Sequence, residues 1–388
     1  MKIIKQYLNT LFVIITCLLS PKAAFSQTIQ MVFTSDAHYG ITREKFRGDT
    51  AVAGHVVNVA MIKQINTLPY LTLPVDSGIN AGKTVGGIDY LIEGGDIANR
   101  MEIPIQSAAA SWAQFAGDYL NGGIILKGQN GKPTQFFLIP GNHDISNAIG
   151  YAKPMQPLTD PTSMVQIYNR MLKPQVPLTN ETYDYALDKI NYSHNIQGIH
   201  FMFITLWADS AERIWMQKDL DTVAANTPVI IFTHDQPTCE SKHFTNPLPP
   251  YNMTTKNKFE DLVEEHYKEG EVASKDDGAT KIEQRGFVAF LKVHPNIKAY
   301  FHGNSNWNEF YTYTGPDNDV ALKTFRVDSP MKGKYSAKDE TLVSFQLISL
   351  DTQTQILTVR ECLWNTTPSN PNQKIVFGKS STISLKVN

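Results

Sequence analysis

Five short polar clusters carry the residue types that do chemistry. They are Asp36-Ala37-His38, Gly95-Asp96, Gly141-Asn142-His143-Asp144, Thr233-His234-Asp235 and His302-Gly303-Asn304-Ser305-Asn306. Carboxylate oxygen, imidazole nitrogen and amide oxygen together make a donor set for Mn, Fe or Zn, not for a metal that prefers thiolates. On an extended backbone, Asp36 and His38 would share a face, as would Asn304 and Asn306. The glycines before Asp96, Asn142 and Asn304 allow sharp turns and close backbone approach. Each cluster alone is a common turn or Asx motif, so the information lies in the ordered set.

What precedes the clusters explains how they could meet. Six short apolar or β-branched runs read as buried strands: 29–34, 90–93, 135–139, 199–205, 228–232 and 297–301. All but the fourth run directly into one of the polar clusters. Helical patterns lie between them, including Val52, Val56, Val59 and Ile62, the stretch 257–269, and Phe287, Phe290 and Leu291. Alternating strands and helices argue for an α/β architecture, in which ligands collect outside the carboxyl ends of the strands. Beyond about Val320 the pattern turns to strands at 322–327, 342–350 and 355–362, the last two joined by a hairpin turn at 351–354. These are expected to complete a second sheet of the same core. The connections 145–195 and 236–257 are long enough to be functional insertions.

Residues 1–26 differ from the rest. Lys2 and Lys5 precede an apolar run, and Ala24-Phe25-Ser26 offers a small-x-small cleavage site. This reads as a secretory signal peptide, which predicts an exported protein, periplasmic or secreted, with no membrane span after cleavage. The domain reading is therefore signal peptide 1–26, a principal domain 27–350, and strands in 351–388 that complete it. A formal net charge of −2 over 388 residues supplies no positive field for nucleic acid. Cys17, Cys239 and Cys362 are too few for a disulfide scaffold, though Cys239 and Cys362 would be free to pair after export.

The ordered clusters resemble the calcineurin-like metallophosphoesterases, whose pattern is D-x-H, G-D, G-N-H-(D/E), an isolated H, and G-H-x-H. The motifs span about Thr28 to Asn306. The resemblance implies a four-layer α/β/β/α sandwich, two divalent metal ions and a phosphate ester substrate. It implies that Asp36 and His38 hold the first ion, that Asp96 bridges, and that Asn142 and His234 hold the second. It further implies that His143 faces the phosphate and assists the leaving oxygen, with Asp144 orienting it. A water between the ions would attack phosphorus directly.

The chain departs from the pattern at its last motif, where Asn304 and Asn306 stand at the two histidine positions. An amide oxygen is neutral, weaker and shorter in reach than an imidazole nitrogen. One reading has both asparagines still ligating, with altered metal preference. Another is a shifted register that uses His302. The alternative function is a catalytically degenerate protein that keeps the fold and acts as a binding module.

Overall fold

The computed structural model of the protein describes residues 28–98, 106–145, 160–184, 187–239, 243 and 278–387. The expected signal peptide, the helical stretch 257–269 and much of both long connections lie outside the described residues. The chain runs through β1 (Thr28–Thr34), the small hairpin β2 (Thr42–Phe46) and β3 (Asp49–Ala53), helix α1 (Gly54–Ile65), β4 (Tyr90–Glu93), α2 (Ala108–Phe115) and β5 (Gln135–Leu138). A single turn, α3 (Asn142–Ile145), and α4 (Thr162–Leu172) lead to β6 (Tyr192–Ile196), β7 (Ile199–Phe203), α5 (Ser210–Leu220) and β8 (Val229–Phe232). After α6 (Gly278–Val293) come β9 (Ile297–His302), β10 (Glu309–Tyr313), β11 (Leu322–Arg326), β12 (Ser344–Asp351), β13 (Ile356–Leu363) and β14 (Val376–Ser384).

These strands form two six-stranded sheets in a mixed α/β fold, ordered β14-β13-β12-β1-β4-β5 and β10-β11-β9-β8-β7-β6. In the first, β1, β4 and β5 are parallel. In the second, β7, β8, β9 and β11 are parallel. The expectation for the C-terminal strands is corrected here. β11 joins the second sheet, whereas β12 to β14 extend the first, because β12 pairs antiparallel with the edge of β1 that β4 leaves open.

Strands covered on both faces are buried along their length, as β8 is throughout and β1 is after its first residue; β8 is wholly apolar, while β1 also buries Gln30 and Thr34. The sheets meet through aromatic rings: Phe33 of β1 stands edge-on to Phe232 at 5.5 Å and to Phe301 at 5.7 Å, and Phe137 lies 4.7 Å from Phe203. The far face of the second sheet packs Val229, Ile231 and Tyr300 against Met216 and Leu220 of α5 and Phe287 and Leu291 of α6. Asp209 caps α5 by accepting from the Glu212 N–H at 2.9 Å. Cys239 and Cys362 are both buried thiols and no disulfide joins them, so the pairing left open by the sequence does not form.

Candidate metal centre

The chain leaves β1 through a backbone that is not extended. Asp36 and His38 take φ values of 60° and 45°, Asp96 takes 55°, and Asn304 and Asn306 take 57° and 63°. The shared-face argument from extended alternation is therefore replaced by left-handed turns, a conformation Asp and Asn tolerate better than most residues. Such positions cost about 1–3 kcal/mol each and persist where surrounding contacts over-determine them. Those contacts are present. The Asp36 N–H donates to Gly95 O at 2.8 Å, the His38 N–H to Asp96 O at 2.9 Å, and the Gly303 N–H to His234 O at 3.0 Å. Gly95 has φ 103°, and a Cβ there would come within 2.6 Å of His234 Nδ1.

These turns converge on the Asp96 carboxylate. Its Oδ2 lies 3.5 Å from His234 Nε2, 3.6 Å from His38 Nε2 and 3.9 Å from His143 Nε2, while Asp36 Oδ1 lies 3.5 Å from His38 Nε2. Two donor groups result, His38 with Asp96 and His143, and Asp36 with Asp96 and His234, each with its ligand atoms within 4.8 Å of one another. The His234 Nδ1–H donates to Gly94 O at 2.8 Å, which turns Nε2 toward Asp96. Asp36 Oδ1, both ring nitrogens of His38, His234 Nε2 and Asn306 Oδ1 are buried and make no hydrogen bond. Buried polar atoms normally find partners, and a divalent cation among Asp36, His38, Asp96 and His234 would supply them.

The charges interlock. Burial pushes the Asp96 carboxyl up, but His234 and His143 outweigh it and hold the group well below the usual carboxylate range. Burial pulls the His234 imidazole down, and Asp96 and Asp36 overcome it to raise the ring well above its ordinary value. His38 and His143 are both lowered, first by burial and further by the ammonium of Lys332.

The other sequence candidates fall around this core. Asn142 and His143 are buried in α3, and the His143 N–H donates to Asp96 Oδ1 at 2.7 Å. Asp144 accepts from the backbone N–H groups of Gly141 at 2.9 Å, Ala98 at 3.0 Å and Ile97 at 3.1 Å. These hydrogen bonds hold the two turns together, and burial raises its carboxyl to about 6 against those amides. Asn304 donates from its backbone to Asp36 Oδ2 at 2.9 Å and from Nδ2 to Asp235 Oδ1 at 2.6 Å. Asn306 donates from Nδ2 to Asn304 O, which leaves the buried Oδ1. His302 faces elsewhere, engaging Gly303 O and Tyr311 Oη, so the shifted register is set aside.

Several residues of the site were given no role by the sequence. The Ser35 hydroxyl donates to Asp36 Oδ2 at 2.6 Å. Asp235 accepts from Asn304, from His243 Nδ1 at 2.7 Å and from Cys239 Sγ at 2.9 Å, which makes it the hub of a buried hydrogen-bonded group. Lys332 Nζ sits 3.2 Å from His143 Nε2. The strand-end rule could have found it: β11 is parallel to β9, so the segment that follows it emerges on the same edge as Asn304.

Among the described residues, no helix is long and apolar enough to cross a membrane. No curated protein matches the chain. Among solved structures, a dimetal phosphatase from Danio rerio superposes with a TM-score of 0.51 at 8 % identity, covering 92 % of this chain and 99 % of that one. The calcineurin-like phosphoesterase YfkN from Bacillus subtilis gives 0.31 at 10 % identity over 92 % and 91 % of the two chains. A phosphopantetheinyl hydrolase from Mycobacterium tuberculosis gives 0.33 at 10 % over 79 % and 92 %. The first of these supports the fold. The sequence profile described as calcineurin-like phosphoesterase matches residues 30–317, most of the length, and the chain belongs to that family.

Proposed function

We propose that the protein is an exported, metal-dependent phosphoesterase that hydrolyses a phosphate mono- or diester by direct attack of water on phosphorus. Asp36, His38, Asp96, Asn142, His234, Asn304 and Asn306 would hold two divalent ions. The observation that carries the reading is the buried Asp96 Oδ2 within 3.9 Å of three imidazole nitrogens, amid donor atoms that make no hydrogen bond. Ions bound there supply Lewis acidity toward phosphate oxygens and lower the pKa of water at neutral pH. Asp96 supplies the shared negative charge, and the Gly94 carbonyl keeps His234 in the tautomer that presents Nε2. In this reading His143, beside Lys332, would pass a proton to the leaving oxygen, and the attack would need no covalent enzyme intermediate. Export rests on the pattern of residues 1–26.

The second reading, a binding module of the same fold, draws on the last motif, where the neutral amides of Asn304 and Asn306 stand at the histidine positions of the family pattern. The test is metal content of protein purified without chelator, together with turnover of chromogenic mono- and diesters in added manganese. Two bound ions with turnover support the enzyme. One ion or none, with no turnover under any divalent metal, overturns it in favour of the binding module.

A further inference from the structure

The segment after β11 is built to hold one cation at the site. Its start is tied to the first ligand loop, where the Ser329 hydroxyl donates to Asp36 O at 2.9 Å and accepts from the backbone N–H groups of Lys332 at 2.9 Å and Met331 at 3.0 Å. Its far end is tied to the last ligand loop, where the Lys334 N–H donates to Asn306 O at 2.5 Å. From behind, the buried Arg43 guanidinium donates to Pro330 O at 2.5 Å and to Ser336 O. The segment thus bridges the turns of Asp36 and Asn306, and its Lys332 Nζ stops 3.2 Å from His143 Nε2.

A lysine ammonium is a compact point charge with three donors and no acceptor, suited to anionic oxygen. We propose that Lys332 is a substrate-contacting residue of this centre, its ammonium donating to a non-bridging oxygen of the bound phosphate ester and supplying fixed positive charge beside His143. The proposal rests on the phosphoesterase reading above and deepens it: the preferred substrate keeps at least one anionic phosphate oxygen on the His143 side.

The test is calorimetric titration of inorganic phosphate into manganese-loaded wild type, Lys332→Ala and Lys332→Arg, with metal content and thermal melting measured on each. Loss of a charge-assisted hydrogen bond is expected to weaken phosphate binding about 10- to 100-fold in Lys332→Ala. Metal content should be unchanged, and Lys332→Arg should recover part of the affinity. Unaltered phosphate affinity in a folded Lys332→Ala overturns the proposal while leaving the phosphoesterase reading intact. Higher metal content in Lys332→Ala also overturns it, because the ammonium then occupies an ion's position. A wild type that neither binds phosphate nor turns over any ester sinks both readings.

Discussion

Asp96 is the residue on which the centre depends most. Its Oδ2 is within 3.9 Å of three ring nitrogens, and its Oδ1 accepts the His143 backbone N–H at 2.7 Å, so one side chain orders both donor groups. Asp96→Asn keeps the shape and removes the charge. Metal affinity is expected to fall by more than the 10- to 100-fold typical of losing an outer partner of a ligand. Emission spectroscopy on dialysed protein checks this, and full metal content with wild-type turnover would show the centre to be elsewhere. His143 makes a different prediction. His143→Ala should retain metal yet lose about 10²–10⁴ in rate, with a smaller loss for esters whose leaving groups need no proton. An equal loss across leaving groups counts against proton transfer by His143.

At the scale of elements, the site is a property of strand ends. The strands that precede Asp36, Asp96, Asn142, His234 and Asn304 were legible because buried parallel strands are continuous apolar runs, and Gly or polar clusters mark where they stop. The turns themselves were not legible. Positive φ at Asp36, His38, Asp96, Asn304 and Asn306 is imposed by contacts between loops far apart in sequence, which no local pattern records. Lys332 was missed for the same reason: it lies in an unremarkable Pro-Met-Lys-Gly stretch whose position is set by Ser329, Arg43 and Asn306. The hub role of Asp235 likewise depends on Asn304 reaching it from β9. The tightness of these turns is testable at Gly303, where an added Cβ would overlap Ser35 Oγ and Asp36 Oδ2. Gly303→Ala should cost about 1–3 kcal/mol of stability as overpacking does, and should weaken metal binding by displacing Asp36. Thermal melting and metal titration measure the two effects. Unchanged metal affinity would mean that the loop of Asn304 yields without moving the ligands.

For the molecule as a whole, the ring contacts of Phe33 with Phe232 and Phe301 lock the two sheets so that the carboxyl ends of their parallel strands open on one edge. Glu93 lies where that core meets the site. It is the last residue of β4, fully buried, and its Oε2 accepts from the Thr34 hydroxyl. Burial raises its carboxyl to about 8, with Asp36 and Asp144 adding to the rise against the Thr34 hydrogen bond. The folded protein therefore keeps a proton on Glu93 that the unfolded chain releases near 4.5. Between those two values the native state binds more protons than the unfolded one, so stability declines as pH rises. The contribution is complete below about 4.5 and is lost as pH climbs through about 8. Glu93→Gln holds a neutral group at every pH and should flatten this decline. Urea denaturation of chelator-treated wild type and variant at pH 5, 7 and 9 is expected to show the variant gaining on the wild type with each step upward. Parallel pH profiles for the two proteins would mean that Glu93 ionises in the folded state at its ordinary value, with a charge compensated inside the core by groups other than Thr34.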